Sequence, residues 1–389
     1  MKKLAIIGAS YLQLPLIRKA KEMGYETHVF AWKANDVGEK EADVFYPISI
    51  VEKDEILKAC EKIGIDGITS IASDLAIITV NYVAQKMGLV SNTLECTDRS
   101  TNKHRMRECF EENGDPSPKS YLVSDIADLL DKDLSYPLIV KPTDRSGSRG
   151  ITKIMKKEDL KEAIENAKAE SFEKKALVEE FAQGQEYSVE CVSYRGEHHL
   201  LMITKKYTTG SPHFIETGHL QPAPLSGLMY EKVRNVTYHA LNSLGIEYGA
   251  SHTEIKIDVN GNIRIIEIGG RMGGDFIGSD LIRLSTGFDF VKAVIAISMG
   301  EAFEYEEPCF KESSAVRFVF TKEDIEVFDE AKKDDSVDLF DHEIDAAHIN
   351  ERITDSSNRH GYFIMHSKKQ GVLDKYLASA ERIEGVDER

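Results

Sequence analysis

The sequence predicts a protein of the α/β and α+β classes, in which a doubly wound parallel sheet precedes a mainly antiparallel unit and a small C-terminal subdomain. Over residues 1–98, short apolar segments alternate with amphipathic helical segments, which is typical of βαβ units. Later apolar segments follow one another in pairs, and Asn260-Gly261 between two of them is a strong hairpin signal. We divide the chain into residues 1–98, 99–305 and 306–389, with a mobile small-loop subdomain at about 115–185.

The first unit is predicted from repeated strand–helix pairs. Its elements are strands Leu4–Gly8, Thr27–Ala31 and Gly67–Ala72 and helices Gln13–Met23, Ile56–Ile63 and Leu75–Met87. Gly8 is the single glycine at the first strand-to-helix turn, so the glycine fingerprint of a nicotinamide-dependent dehydrogenase is missing. Ser73 and Asp74 follow a strand, where they either share the crevice at its carboxyl end or, for Asp74, begin the next helix as a cap.

The second and third units are predicted to mix helices with paired strands. The helices are Thr101–Glu112, Lys156–Lys168, Tyr230–Leu244, Phe288–Met299 and Leu373–Ala380. The strands are Tyr136–Lys141, Ile151–Ile154, Ala176–Phe181, Tyr187–Ser193, Leu200–Lys205, Thr253–Val259, Ile263–Ile268, Ala315–Phe320 and Gly361–His366. The segment that contains Glu216 and His219 is predicted as a long loop.

The composition argues against several classes of protein. The net charge is -17 without any basic block, which disfavours non-specific nucleic-acid binding because phosphates require a positive field. There is no run of about 18 apolar residues, so we expect no membrane-spanning helix. The five cysteines are scattered without a CxxC pair, which disfavours a zinc site or a disulfide framework and fits a cytoplasmic protein.

A lysine at the end of a buried strand is the first motif that indicates chemistry. Lys141 ends the strand and is followed by the small-residue loop Ser146-Gly147-Ser148. Lysine supplies a point charge for phosphate, and Gly and Ser let backbone N–H groups approach an anion. Taken singly, each feature also fits an exposed lysine and a plain hairpin loop, and the pattern is not a Walker loop.

Acidic residues around the next strand form the second motif. Glu179, Glu180, Phe181 and Ala182 end a short strand that could present its backbone to an adenine edge, and Glu186 could accept hydrogen bonds from ribose hydroxyls. The alternative interpretation is a solvated acidic end of a strand.

Two glutamates that face each other across the predicted hairpin form the third motif. Glu254 precedes Asn260 by six residues and Glu267 follows Gly261 by six, so a two-residue turn pairs them. Paired carboxylates suit Mg²⁺, which prefers carboxylate oxygens and substrate phosphates. Arg271 follows within a glycine-rich segment, and arginine suits bidentate binding of carboxylate or phosphate. Surface glutamates on the sheet are the alternative.

The order of these motifs resembles the ATP-grasp superfamily over roughly residues 1–300. The resemblance implies an ATP-grasp fold with a preceding α/β domain, and a ligase that joins a carboxylate to an amine through an acyl-phosphate. It implies ATP and Mg²⁺ as cofactors, with Mn²⁺ as the other ion such sites accept, and it suggests a homodimer. Position by position, it assigns the ATP phosphates to Lys103, Lys141, Ser146, Gly147 and Ser148, the adenine to Glu179, Glu180, Phe181 and Ala182, the ribose to Glu186, the metal to Glu254 and Glu267, and the substrate side to His252 and Arg271.

Two features refine the resemblance. Many ATP-grasp ligases have Glu-x-Asn-x-Arg, whereas Gly269 stands here at the asparagine position and leaves the number of metal ions open. The spacing Glu216-x-x-His219 resembles the amino-acid (dipeptide) ligase branch, where such a segment lies beside the substrates. A purine-pathway ligase, a carboxyphosphate or carbamoyl-phosphate ligase, and a non-catalytic ATP-binding module remain the alternatives.

Overall fold

The computed structural model describes residues 1–144, 150–210, 214–303, 305–307, 309–351, 353, 355–356 and 359–381. The predicted phosphate-loop residues Ser146, Gly147 and Ser148 lie outside these ranges. Within them, the strands form three sheets, and no helix is both long and apolar enough to cross a membrane.

The N-terminal sheet has four parallel strands in the order β3-β2-β1-β4. The strands are β1 Lys3–Ile7, β2 Glu26–Phe30, β3 Val44–Tyr46 and β4 Gly67–Thr69, and the helices beside them are α1 Leu14–Glu22, α2 Val37–Glu41, α3 Lys53–Ile63 and α4 Asp74–Met87. Four consecutive residues of β1 are buried, as expected for a parallel sheet covered on both faces. The predicted α/β unit is confirmed, although β3 and α2 were not predicted because they are short and only partly apolar.

The second sheet is antiparallel and holds the lysine strand. Its order is β5-β8-β6-β7, and α7 Leu160–Glu170 packs on it. The strands are β5 Ser120–Val123, β6 Leu138–Pro142, β7 Thr152–Ile154 and β8 Ala176–Glu180. Lys141 in β6 pairs in register with Leu177, so the lysine and the glutamate strand lie side by side.

The helix predicted at Thr101–Glu112 is wrong in its start. The structure has α5 Leu94–Thr101 and α6 Lys103–Asn113, which meet at Asn102. The Asn102 side chain caps α6 by accepting hydrogen bonds from the backbone N–H groups of His104 and Arg105 at 3.0 and 3.2 Å. Lys103 is therefore the first residue of a helix.

The third sheet has eight strands in the order β13-β12-β9-β10-β11-β14-β16-β15. The strands are β9 Gln185–Tyr194, β10 Glu197–Thr208, β11 Glu216–Gln221, β12 Tyr248–Ile257, β13 Ile263–Gly269, β14 Ser313–Phe318, β15 Asp338–Ile344 and β16 Gly361–Ser367. The remaining helices are α8 Gly227–Leu244, α9 Ile282–Thr286, α10 Phe290–Ser298, α11 Lys322–Ala331 and α12 Asp374–Leu377. The strands of residues 306–389 thus extend the central sheet, and the boundary at residue 305 stays a prediction.

The segment with Glu216 and His219 is a strand, which makes the predicted loop wrong. Glu216–Gln221 is β11, and it pairs with β10 on one side and β14 on the other. The sequence suggested a loop because the segment is polar, with Thr217, His219 and Gln221 at alternate positions. All three side chains are buried, since neighbouring strands and packed elements cover both faces of this strand.

The hairpin of β12 and β13 pairs Glu254 with Glu267, as the spacing predicted, but through a different turn. The turn holds three residues instead of two, because the N–H of Asp258 donates to the carbonyl of Asn262 at 3.0 Å. A register shift between Glu254 and Ile255 adds one residue on the opposite strand and restores the predicted pairing.

Candidate active site

Ion pairs between different elements bring several of the predicted site residues together. Lys103 of α6 binds Glu267 of β13 at 2.7 Å, and Lys206 of β10 binds Glu254 of β12 at 2.6 Å. Ribose candidate Glu186 of β9 also contacts Lys206, at 3.0 Å.

A buried carboxylate joins two cations at the second sheet. Glu179 accepts from Lys141 Nζ at 2.6 Å and from Arg107 Nε at 2.8 Å, and all three side chains are buried. Arg107 also donates to the carbonyl of Ile266 at 2.6 Å, which ties the glutamate to the strand of Glu267. The sequence analysis missed Arg107, although it lies four residues after Lys103 on α6 and so on the same helix face.

The charges of this trio act on one another. Burial alone would raise the pKa of Glu179, but the adjacent Arg107 and Lys141 outweigh it and lower that pKa to about 2. Burial lowers the pKa of Lys141 more than Glu179 raises it, and the nearby cations Arg107 and Lys103 lower it further. One anion is thus shared among more positive charge than it neutralises, which suits a site for phosphate.

The residues after Glu179 border two adjoining clefts. Glu180 is exposed, and with Phe181 and Ala182 it lines a cleft of about 250 Å³. Glu186 lines a second cleft of about 360 Å³ together with Lys206 and Lys256. Glu179 faces the cations and is absent from the lining of both clefts, so only its neighbours are placed to contact an adenine.

Lys206 stands among three carboxylates and was missed by the sequence analysis. Its Nζ lies 2.6 Å from Glu254, 3.0 Å from Glu186 and 3.6 Å from Glu216. Burial would lower the pKa of Lys206, but the three carboxylates raise it well above its ordinary value. Nothing in the local sequence signals it, since Lys205-Lys206 reads as an exposed pair at a strand end.

Glu254 and Glu267 fit a magnesium ion. They are paired across adjacent strands, and their side chains are 25% and 24% exposed, so an ion has access to both. Burial would raise the pKa of Glu254, but Lys206 and His252 keep it well below the ordinary value and the group ionised. The described residues hold no cluster of three His, Cys, Asp or Glu side chains suited to a metal.

His252 is held by a fully buried glutamate. Its Nδ1 forms a short hydrogen bond with Glu190, while Nε2 lies 3.4 Å from Glu254. Burial would lower the pKa of His252, but the Glu190 carboxylate raises it to about 9. Glu190 also accepts from the backbone N–H of Gly273 at 2.9 Å, which anchors the glycine-rich segment. The sequence analysis missed Glu190 because it looks like one polar residue in an apolar strand.

Arg271 is paired with a residue of the N-terminal unit. Its Nε and Nη2 donate to the two carboxylate oxygens of Asp74 at 2.9 and 3.0 Å. Asp74 is the first residue of α4, and the helix cap is Ser73, so the expectation that Asp74 itself is the cap is wrong.

Glu216 and His219 lie on β11 beside Lys206, which approaches Glu216 to 3.6 Å and pairs in register with His219. His219 is 1% exposed, and neither ring nitrogen has a hydrogen-bond partner among the described residues. Burial lowers the pKa of His219 to about 3, so the ring is neutral. A buried imidazole with two unpaired nitrogens is costly, and a bound polar ligand is one way to satisfy it.

An ion pair between Arg359 and Asp275 lies next to Glu216. Arg359 donates to both carboxylate oxygens of Asp275 at 2.9 and 3.0 Å, and its guanidinium lies 3.6 Å from the ring centre of Phe318. It also donates to the carbonyl of Glu216 at 3.3 Å. Asp275 and Phe276 both have left-handed backbone, with φ of +49° and +67°, which is a strained arrangement often found at functional sites. No sequence pattern indicated a contact between Asp275 and Arg359, which lie far apart in the chain.

Comparisons with known proteins agree with this architecture. Residues 134–280 match the family model of the ATP-grasp domain. Alanine–anticapsin ligase of Bacillus subtilis is 29% identical over 245 residues, which cover 57% of this chain and 51% of that protein. The carbamoyl phosphate synthase large chain of Thermotoga maritima is 26% identical over 220 residues, which cover 54% of this chain and 20% of that protein. The chain thus spans about half, or less, of these relatives.

Solved structures share the fold over nearly the whole chain. The L-amino acid ligase from Bacillus licheniformis has a TM-score of 0.81 at 22% identity, covering 98% of this chain and 97% of that one. Phosphoribosylglycinamide synthetase from Anaerococcus prevotii has a TM-score of 0.74 at 20% identity, covering 97% of both chains. Together with the match of residues 134–280 to the ATP-grasp domain, this shared fold shows that the protein has the ATP-grasp fold.

Proposed function

We propose that the protein is an ATP-dependent ligase that activates a carboxylate as an acyl-phosphate and joins it to an amine, with an amino acid among its substrates. The observation that carries this proposal is the pair Glu254 and Glu267, which lie opposite each other on adjacent strands and bind the buried Lys206 and Lys103. The buried Lys141 lies near enough to Lys103 and Glu267 to interact with their charges. Paired carboxylates beside several buried cations suit a magnesium-bound triphosphate.

ATP would lie along the cleft between the two sheets. Glu180, Phe181 and Ala182, which line one cleft, would contact the adenine, and Glu186, which lines the other, would accept hydrogen bonds from the ribose hydroxyls. Lys103 and Lys141 would bind the phosphates, and Ser146, Gly147 and Ser148 are proposed to cover them. Magnesium, when bound by Glu254 and Glu267, neutralises phosphate charge.

The reaction would proceed in two displacements. An oxygen of the substrate carboxylate attacks the γ-phosphorus, the bond from that phosphorus to the bridging oxygen breaks, and ADP leaves. The amine nitrogen then attacks the acyl carbon, inorganic phosphate leaves with the bonding electrons, and the nitrogen gives up a proton. The residues of this chain contribute mainly position and charge to both steps.

Glu216 and His219 are suited to bind the amine substrate. Burial raises the pKa of Glu216, and nearby Asp275 raises it further against the opposing effect of Lys206, so its carboxyl group is a suitable proton acceptor. The neutral His219 would accept or donate one hydrogen bond to the same substrate. These two residues support the amino-acid ligase branch over the purine-pathway alternative, and the alanine–anticapsin ligase relative supports it as well.

A product screen tests the proposal. The protein is incubated with ATP, MgCl₂ and an equimolar mixture of the twenty common L-amino acids, while phosphate release is followed and amide products are sought by mass spectrometry. We expect amino-acid-dependent phosphate release and a new amide, both lost in Glu267→Gln. Phosphate release that depends on bicarbonate alone would instead favour a carboxyphosphate ligase, and ATP binding without turnover would favour a non-catalytic module.

A further inference from the structure

In the glycine-rich segment of residues 269–274, charged groups fill the space that a side chain would need at Gly269 and Gly273. A Cβ on Gly269 would lie 2.6 Å from Oδ1 of Asp74, and 3.2 and 3.3 Å from Nε and Cζ of Arg271. A Cβ on Gly273 would lie 2.7 Å from both Glu190 Oε1 and His252 Nδ1. At residue 269, where an asparagine was expected from the superfamily pattern, the Asp74 carboxylate occupies the side-chain volume.

Asp74 is held rigidly in that place. It begins the 14-residue helix α4, whose cap Ser73 accepts a hydrogen bond from the N–H of Ala76 at 3.3 Å. The preceding Ala72 has a left-handed φ of +59°, and its N–H donates to the carbonyl of Met272 at 3.1 Å. The N-terminal unit therefore docks directly on the glycine-rich segment, and the helix N-terminus favours a negative charge at this position.

The pairing leaves one edge of the Arg271 guanidinium for a ligand. Of its five N–H groups, two bind Asp74 through Nε and Nη2, and one on Nη1 donates to the carbonyl of Met272 at 3.3 Å. The described residues take none of the others, so one N–H on Nη1 and one on Nη2 are available to oxygens of a carboxylate or phosphoryl group.

Asp74 also decides which acid Arg271 pairs with. Glu190 and Glu267 are close enough to attract the guanidinium electrostatically. Without Asp74, Arg271 would turn toward one of these acids. A contact with Glu267 would occupy a carboxylate assigned to the metal, and a contact with Glu190 would compete with His252.

We propose that Asp74 is a positioning residue: it occupies the place of the missing asparagine at Gly269 and orients the Arg271 fork toward the acyl-phosphate. This inference rests on the proposed ligase function. It makes the N-terminal unit a contributor to the site, where its sequence alone allowed either a helix cap or a crevice residue.

A double-mutant cycle tests the steric part without any activity. Gly269 does not have a left-handed φ, so asparagine is compatible with its backbone. We expect Gly269→Asn to lower the thermal unfolding temperature clearly in the wild-type background and much less with Asp74→Ala, because the clashing carboxylate is then gone. Equal losses in both backgrounds overturn the shared-volume claim, whether or not the protein turns over.

Kinetics test the positioning part, with the twenty-amino-acid mixture as substrate. We expect Asp74→Ala to lower kcat about 10- to 100-fold, as outer partners of a site residue typically do, with the KM for ATP unchanged. The Asp74→Ala, Gly269→Asn double variant should recover part of kcat. Asp54→Ala, which also removes a carboxylate from the first turn of a helix, should keep full activity.

Two kinetic outcomes contradict the proposal. A higher kcat or lower amino-acid KM in Asp74→Ala would show that Asp74 competes with substrate for Arg271. Unchanged kinetics would show that the pair only joins the two units. If the wild-type protein has no ligase turnover, the proposed function fails by itself, and the unfolding cycle still reports on Asp74 and Gly269.

Discussion

At the scale of single residues, Glu179 shows how one buried carboxylate joins separate elements of the fold. Its partners Arg107 and Lys141 come from α6 and β6, so the ion pairs connect a helix and a strand that border the proposed phosphate site. A sequence cannot reveal this use of Glu179, because the neighbouring Glu180 has the same chemistry and points to solvent.

Glu179→Gln should therefore destabilise the protein by about 3–5 kcal/mol, since it leaves two buried cations without their anion. The pKa of Glu179 is lowered from 4.5 to about 2, so the stability gained from ionisation is fully present above about pH 4.5 and is lost as the pH falls through about 2. Urea unfolding of both proteins should give a difference that shrinks between pH 7 and pH 3. Glu180→Gln on the same strand serves as the control, and a pH-independent difference for Glu179→Gln would contradict the assignment.

The proposed metal ligands Glu254 and Glu267 should affect activity more than stability. Glu254→Gln and Glu267→Gln should each lower kcat at least about 10²-fold, because each removes a charge at the proposed magnesium site. Each variant should stay folded but have a lower unfolding temperature, since the buried Lys206 or Lys103 loses a carboxylate partner. Activity against MgCl₂ concentration, with exposed Glu197→Gln as control, measures this. Near-normal turnover of either variant at saturating magnesium would show that the pair is misassigned.

At the scale of elements, the β12–β13 hairpin and β11 mark what the sequence could and could not predict. The apolar alternation around Glu254 and Glu267 was strong enough to give their pairing, while the three-residue turn and the compensating bulge depend on Asp258, whose side chain binds the turn N–H groups. β11 lacked an apolar pattern, since its strand structure comes from its two neighbours. Residues such as Lys206, Asp275 and Arg359 required the fold, because they converge from distant parts of the chain.

The strand β11 makes a specific expectation for substrate binding. Glu216→Gln and His219→Asn should each raise the half-saturating amino-acid concentration about tenfold, the equivalent of one hydrogen bond of about 1.4 kcal/mol, with little effect on the KM for ATP. Thr217→Val lies between them and loses a hydrogen bond to the carbonyl of Ala380. Thr217→Val should lower stability without changing the KM for ATP or the half-saturating amino-acid concentration. Parallel changes in these two constants for Glu216→Gln would refute the assignment.

At the scale of the whole molecule, the eight-stranded sheet runs without interruption from the β12–β13 hairpin to the C-terminal strands β14, β16 and β15. Arg359 lies just before β16 and reaches Asp275, which follows the glycine-rich segment. A residue from the C-terminal part of the chain therefore contacts both Glu216 and the segment that follows Arg271. The expected homodimer stays a prediction that sedimentation of the purified protein would test.

Arg359→Ala should raise the half-saturating amino-acid concentration and lower the unfolding temperature, because Asp275 would lose its partner in a largely buried setting. Arg359→Lys keeps the charge but loses the planar fork, so it should recover stability more than substrate binding. Exposed Arg283→Ala is the matched control. A loss of stability with unchanged amino-acid kinetics in both Arg359 variants would limit this residue to a structural role.

The bulge beside Glu254 has a practical consequence for engineering this enzyme. The register shift lies between the hairpin tip and the pair Glu254 and Glu267. A change in the length of the tip should therefore leave the spacing of these two side chains unchanged. Val259 at the tip is 99% exposed. A fluorescent label or an inserted peptide at this position would report on the cleft from outside it, and should leave the opposed carboxylates in place.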